Sequence, residues 1–333
     1  MRKGSSVEQV LAGDIGGTNA RLRLYDRTGE KVRHEAVLPS VGAPSLAAIV
    51  GGYLIERRAH VRSAVLGIAG PVVNGISQVT NLPWVIDERK LARQLKIPRV
   101  SLMNDLAAVA IGCTRLGPSA RTVLAKGRPP KGVNNIAVIA AGTGLGEALL
   151  VWDRDHYVPC QTEGGHADFA PTSELEVDLY HFLKRRLAIA RVSYERVLSG
   201  PGLGNVYDFF VERDGEETAN AKELENGDRN AKIAGLGLSG KSRAASQAVD
   251  LFARVYGSES GNLILKGLAL GGVFLSGRIA NDIIPHRKDI FLAGLREKGR
   301  LGALVERVPV TVVKDSLVGL AGAGYLAARL ASR

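Results

Sequence analysis

Residues Val10–Asp26 read VLAGDIGGTNARLRLYD. An apolar run leads to Asp14, Gly or Thr fills three of the next five positions, and Asn19 opens a second alternating run. Apolar stretches on both sides of a glycine turn predict a β-hairpin, with strands at 10–15 and 20–25. A bare turn has no need of Asp14, Thr18 and Asn19 together. Backbone N–H groups left open by glycine form nests that bind anions, phosphate above all. A carboxylate beside such a nest repels the anion unless a cation lies between them. Mg²⁺ suits that place, because it keeps several waters and is held through one carboxylate and nucleotide phosphates. Asp14, Gly16, Gly17, Thr18 and Asn19 therefore suit a Mg-nucleotide phosphate site, with Asp14 acting on the metal indirectly. A tight turn without a ligand is the plainer reading of one such hairpin.

Outward from this hairpin, KVRHEAVL is a third strand and PSLAAIVGGYLIERR an amphipathic helix. SAVLGIAG is a buried strand ending at Gly70-Pro71, RVSLMND is another, and DLAAVAIGCTRL is a helix. The order describes an α/β domain. The pattern then begins again in NNIAVIAAGTGLGEALLVWD, whose turn overlays the first when Leu11–Asp26 is set under Val138–Asp153. This predicts an internal duplication of architecture. Gly142, Thr143 and Gly144 are placed to clamp the same phosphates. Beyond lie the strand HYVPC, a capping box from Ser173 to Glu176 opening the helix ELEVDLYHFLKRRLA, and a polar segment over 213–242. A long helix from about Arg243 to Leu270, the strands GVFLSG and VPVTVVKD, and the closing helix SLVGLAGAGYLAARL complete the chain.

The chain has 333 residues, more than one core comfortably supports, so two domains are expected. A mean hydropathy of +0.04 is that of an ordinary globular protein. No apolar run reaches the roughly 18 residues that cross a bilayer. MRKGSSVEQV has no apolar core and reads as a leader rather than a secretory signal. Cys113 and Cys160 are too few for a disulfide framework, have no zinc spacing, and read as packing residues of a cytoplasmic protein. The net charge of +11 raises the question of nucleic acid. However, the basic residues are scattered, and ERRAHVR and FLKRRLA fall in helix-like stretches where a solvated face explains them. Neither a membrane nor a nucleic-acid partner is expected.

Three further groups carry chemistry. Asn104-Asp105 lies where a buried strand meets a helix, and strand ends in α/β folds face the ligand crevice. An aspartate there can accept a hydroxyl proton as the oxygen attacks phosphorus; a helix N-cap is the other reading of Asp105. In TEGGHADF, Glu163 and His166 flank a Gly-Gly step that lets the backbone turn sharply, and the pair suits adjacent hydroxyls of a polyol. Glu195, in VSYERVLSGPGL, sits on a short helix before another glycine turn. Neither phosphate turn is a P-loop, and no Rossmann fingerprint is present.

GDIGGTNARL, TNLPW, MNDLAAVA, GTGLG, EGGHADFAP, SYERVLSGPGL and LGGVFLSGRIA occur in an order that resembles the bacterial hexokinase-type glucokinases, over about residues 10 to 325. The resemblance implies an α/β, two-domain actin-like ATPase (ribonuclease H-like) fold with a duplicated α/β unit and a cleft between domains. It implies a small domain of residues 1–115 plus 316–333 and a large one of 116–315. The implied activity is transfer of the ATP γ-phosphoryl to the 6-hydroxyl of glucose, with Mg²⁺. Asp105 matches the family's catalytic base, while Asn104, Glu163, His166 and Glu195 match its glucose ligands. Asp14 to Asn19 and Gly142 to Gly144 match its phosphate motifs, and Gly271 to Gly277 its adenosine motif. A homodimer is a family expectation. The chain departs from the pattern at Arg278, where a second glycine is common, and at Glu147, where an apolar residue is usual; alternation along the strand leaves the direction of Glu147 open. The rival readings are a kinase for another hexose or amino sugar, a sugar-sensing repressor, and an actin-like scaffold. The repressors carry a DNA-binding segment ahead of the first phosphate motif, where only about ten residues stand here.

Overall fold

The computed structural model describes residues 8–79, 82–215, 224 and 227–332. Residues 1–7 of the expected leader, Thr80 and Asn81 of TNLPW, and 216–223, 225 and 226 of the polar segment lie outside the described residues. The chain divides into two compact units. One gathers the described residues of Met1–Gly117, Pro159–Gln161 and Asp315–Arg333; the other comprises Pro118–Val158 and Thr162–Lys314.

The first unit is built on a five-stranded sheet, ordered β3-β2-β1-β4-β7. Its strands are β1 (Gln9–Ile15), β2 (Asn19–Asp26), β3 (Val32–Pro39), β4 (Val61–Ile68) and β7 (Arg99–Asn104). The predicted hairpin is present, with Asp14 opposite Arg21 and Ile15 opposite Ala20. β1 also pairs in parallel with β4, which places Asp14 beside Gly67. A central strand covered on both faces needs an unbroken apolar run, which is what VLA supplies. Leu11 and Ile15 point to one core, with Leu46, Val50 and Tyr53 of α1 (Leu46–Glu56). Val10 and Ala12 point to the other, with Ala108 of α3 (Asp105–Cys113) and with Leu320 and Ala323 of the closing helix Val318–Ser332. Successive side chains alternate between faces, so Asp14 belongs to the same face as α3. A short ribbon of β5 (Ile76–Gln78) and β6 (Val85–Asp87), followed by α2 (Glu88–Leu95), adds elements too short or too polar to read from the sequence.

The second unit repeats the plan. Its sheet runs β11-β10-β9-β12-β13-β8. The strands are β8 (Arg121–Ala125), β9 (Ile136–Ala141), β10 (Leu145–Asp153), β11 (His156–Gln161), whose last three residues are grouped with the first unit, β12 (Gly272–Ser276) and β13 (Val310–Val313). In each unit a hairpin and a neighbouring third strand precede a strand that pairs in parallel with the hairpin's first strand, and a further strand pairs in parallel with that one. The duplication inferred from two hairpins thus extends to strand order. β8 is an extra antiparallel edge strand beside β13. One face of this sheet is covered by the helix Arg243–Gly267, which ends three residues before the expected Leu270.

Two local readings need correction. Ser173 caps α4 (Glu174–Leu187) by accepting the Glu176 N–H at 3.4 Å, but Glu176 does not return the bond to Ser173. Its carboxylate turns to Thr172, accepting from the backbone N–H at 2.7 Å and the hydroxyl at 3.0 Å. Cys113 is buried, and burial pushes its thiol far above the usual range. Cys160 is exposed on β11 and is not a packing residue.

The closing helix approaches α3 at backbone distance: a Cβ on Gly322 would lie 2.0 Å from the Ala108 carbonyl oxygen. Gly322→Ala forces these helices apart and is expected to lower unfolding stability by about 1–3 kcal/mol. Urea denaturation measures this, and a wild-type midpoint would show that the contact can relax at no cost.

Candidate active site

In the first unit the phosphate-type turn and Asn104-Asp105 occupy the same end of the sheet. Gly16 donates to the Asn19 carbonyl at 2.9 Å, closing the turn between β1 and β2, and Ser40 donates to the Thr18 carbonyl at 2.8 Å. Asp14 stands at the carboxyl end of β1, and Asp105 follows the carboxyl end of β7. Only β4 separates these strands, so the two positions lie roughly 10 Å apart across the sheet, two strand spacings. The Asp14 carboxyl reaches solvent, yet protein packed around it removes much of its hydration. That desolvation raises its pKa, and the Arg21 guanidinium opposite opposes the rise. Among the described residues, no group of three or more His, Cys, Asp or Glu side chains forms a metal cage. A lone, partly desolvated carboxylate beside a glycine turn fits a cation held mainly by phosphates and water.

The structure separates the two readings of Asn104-Asp105. Asn104 is the N-cap of α3, its side-chain oxygen accepting from Leu106 at 2.9 Å and Ala107 at 3.3 Å. Its Nδ2 donates to the Gly70 carbonyl at 3.3 Å, which leaves one N–H for another acceptor. Asp105 is the first helical residue, with Oδ1 accepting from the Leu106 N–H at 2.7 Å.

In the second unit Glu163, His166 and Glu195 come together. His166 Nε2 is 4.0 Å from a Glu163 oxygen, and His166 Nδ1 is 3.9 Å from Glu195 Oε1. The other Glu195 oxygen accepts the Leu145 N–H at 3.1 Å, tying it to the turn of Gly142, Thr143 and Gly144. The segments carrying these residues are zipped by Tyr194 N–H to the Ala167 carbonyl at 3.0 Å, by Phe169 N–H to the Val192 carbonyl at 2.9 Å, and by Arg191, which holds Asp168 and the His166 carbonyl. Gly164 and Gly165 open a short 3₁₀ turn and have no positive φ. Their need for glycine is therefore space rather than a sharp bend: a Cβ on Gly165 would lie 2.0 Å from the Leu145 carbonyl oxygen.

A cavity of about 410 Å³ lies on the other side of the same hairpin, lined by Gly142, Thr143, Gly200, Pro201, Asn230 and Arg278 among others. SGPG, read as a further glycine turn, is instead the start of α5 (Gly200–Asp214), capped by Ser199 with a proline in its first turn. The Ser-Gly-Pro order is itself a helix-start signal. Gly200 donates to the Gly142 carbonyl at 2.8 Å, which aims the positive end of α5 at the cavity. Gly277 closes β12 with φ +93° in contact with the Ala141 carbonyl. Gly271 is not part of this group. It precedes the opposite end of β12, six residues and roughly 20 Å along the strand, where it packs on the Asn134 backbone. Arg278, one of the residues lining the cavity, pairs with Asp228 at 3.1 Å and with Asp282 at 3.4 Å. Glu147 is buried and turns toward Gly164 and Glu259 rather than the phosphate turn.

The sequence profile of the glucokinase family matches residues 11–330. The chain belongs to the glucokinase family. The glucokinase of Nostoc sp. is 39% identical over 96% of this chain and 99% of its own length. The crystal structure of a glucokinase from an Antarctic psychrotroph superposes with a TM-score of 0.83 at 29% identity, covering 98% of this chain and 99% of that one. A ROK family glucokinase from Streptomyces griseus, solved in complex with glucose and AMPPNP, shares the fold at 19% identity, with a TM-score of 0.64 and coverage of 96% and 99%. The fold is the actin-like ATPase fold. The basic stretch of α4 meets carboxylates, with Arg186 2.8 Å from Asp208 and Arg185 3.7 Å from Glu212. No helix among the described residues is long and apolar enough to cross a membrane.

Because Gly165 sits on the Leu145 carbonyl, Gly165→Ala is expected to lift the turn and part His166 from the two glutamates. The His166 imidazole resonances should then shift in NMR spectra. Spectra matching wild type would mean that the turn absorbs a methyl group in place.

Proposed function

We propose that Asp105 is the general base of a glucokinase reaction, with Asn104, Glu163, His166 and Glu195 holding the sugar. As a glucokinase family member at up to 39% identity over nearly its whole length to a curated glucokinase, the chain is an ATP-dependent glucose kinase. The observation that supports the role of Asp105 is its position. It is the first residue of α3, at the carboxyl end of a parallel strand, on the same face and at the same sheet end as the phosphate-type turn.

Chemistry assigns the rest. Glu163, whose near neighbour is His166 Nε2 at 4.0 Å, accepts from sugar hydroxyls; His166 offers a ring nitrogen; Glu195 keeps Oε1 for the sugar while Leu145 occupies Oε2. Asn104 has one amide N–H left over from its cap and its bond to Gly70. Asp105 takes the proton of the 6-hydroxyl as that oxygen attacks the γ-phosphorus of ATP. The amides of Gly16 to Asn19 and Gly142 to Gly144 receive the phosphates, and the cavity beside Gly200 and Arg278 receives the nucleoside. Gly277 gives that cavity its edge. Mg²⁺, facing Asp14 through water, would neutralise phosphate charge when bound. General-base help contributes roughly 10²–10⁴-fold; positioning by the four sugar-binding residues supplies much of the remainder.

Asp105→Asn preserves the size and the helix-start position of the residue but removes the base. Glucose binding followed by calorimetry should persist, while kcat should fall by about 10²-fold or more. A variant that turned over near the wild-type rate would remove Asp105 from this role. Rates on mannose, fructose and glucosamine under the same assay test the sugar preference, and a better substrate than glucose would move the chain to another hexose.

A further inference from the structure

A buried polar network lies beneath the two turns that carry Glu163, His166 and Glu195. Its centre is a pair of carboxyls, Glu147 on β10 and Glu259 on the helix Arg243–Gly267, exposed by 2% and 0%. Glu259 is well partnered: Oε1 meets Lys266 Nζ at 3.0 Å, and Oε2 accepts from Asn262 Nδ2 at 2.8 Å. The same Asn262 nitrogen donates to the Tyr194 hydroxyl at 3.1 Å, one residue before Glu195. Glu147 faces the other turn. Its Oε2 fills the space beside Gly164, where a Cβ would come within 2.1 Å of it. Its carbonyl accepts the Thr162 hydroxyl at 3.0 Å, and that hydroxyl accepts the Gly164 N–H at 3.1 Å. Glu147 Oε1 is buried with no hydrogen-bond partner among the described residues.

Lys266 pairs with Glu259, but no ammonium or guanidinium pairs with Glu147 among the described residues, and a buried charge left uncompensated takes up a proton instead. We propose that Glu147 is a positioning residue for sugar binding: it carries a proton shared with Glu259, and the joined pair sets the spacing of the Glu163–His166 and Tyr194–Glu195 turns. This rests on the reading of Glu163, His166 and Glu195 as sugar ligands. Burial first, then the Glu259 charge, raises the Glu147 carboxyl to about 7, against the pull of Lys266. The other groups facing the pair are Tyr256 on the helix of Glu259, Tyr194 on the lower turn, and Lys298 near Glu259; Glu163 and His166 ride on the turn above. Ionisation releases one proton to solvent and leaves two like charges side by side, which pushes Glu147 against Gly164. The folded chain thus holds a proton that the unfolded chain gives up at the ordinary glutamate value. Stability and turn order are complete below that value and fall as pH rises through about 7.

The test is the pH dependence of glucose KM and kcat from pH 5.5 to 9. In wild type KM should rise about five- to tenfold across this range, ahead of any change in kcat. In Glu147→Gln, whose amide donates to Glu259 without titrating, KM should stay flat, and thermal stability relative to wild type should improve as pH rises. A flat wild-type KM overturns the proposal. An unchanged limb in Glu147→Gln, which would assign it to another group such as His166, does the same. Should that variant not fold, Glu259→Gln serves: removing the like charge should move the limb to lower pH, and an unmoved limb is again fatal. Glu163→Gln at pH 6 separates the two readings. If it leaves KM unchanged, the sugar-ligand assignment fails and takes this proposal with it; if it raises KM while the pH limb is absent, only the proposal fails.

Discussion

Much of the second unit is organised by how closely other backbone comes to the turn between β9 and β10. Gly200 bonds to Gly142 from one side at 2.8 Å, and Leu145 is bonded by Glu195 and crowded by Gly165 from the other. No side chain fits between Gly165 and Leu145, where a Cβ would lie 2.0 Å from the carbonyl oxygen, whereas one on Gly142 or Gly200 would meet nothing closer than 3.5 Å. The hairpin is consequently shared by the cavity beside α5 and by the Glu163, His166 and Glu195 cluster. A shift of one moves the other, because packed backbone does not deform continuously.

The first unit meets a related demand by different means. Its sheet must bring a carboxylate and a phosphate-type turn to one end while both faces are buried. Parallel pairing of β1, β4 and β7 does this, since the carboxyl ends of parallel strands coincide. Alternation then decides which residues point where. Leu11 and Ile15 belong to one core, while Val10 and Ala12 belong to the other, and Asp14 continues the second series. Asn104 has a structural duty besides any ligand it holds, because it starts the helix on which Asp105 depends.

The polar network under the Glu163–His166 and Tyr194–Glu195 turns sets two carboxyls in a largely apolar interior. A buried acid pair costs stability relative to a hydrophobic pair of the same size. Its retention is intelligible if the pair fixes two turns at once, which an apolar side chain at position 147 would not do by hydrogen bonding. The ion pairs of Arg278, in contrast, are exposed and contribute little to stability. Their effect is to hold Arg278 in place among the residues lining the cavity.

Strand and helix periodicity, two glycine hairpins and the helix-start signals made the repeated α/β plan legible, because these features act over a few residues. Asp14, Asp105, Glu163 and His166 stood out by their residue types and positions, while the roles of Asn104 and Glu195 came from the resemblance to glucokinases. Sequence alone misread SGPG as a turn and assigned Gly271 to the nucleotide motif, where one strand length separates it from Gly277. It left the direction of Glu147 open, and it passed over β5, β6, α2 and β8. What only the tertiary structure decided was which groups face one another. Whether Asn104 or Asp105 caps α3, what Glu147 meets and why Gly165 must be glycine all depend on partners many residues away, and local pattern carries no record of distance through space.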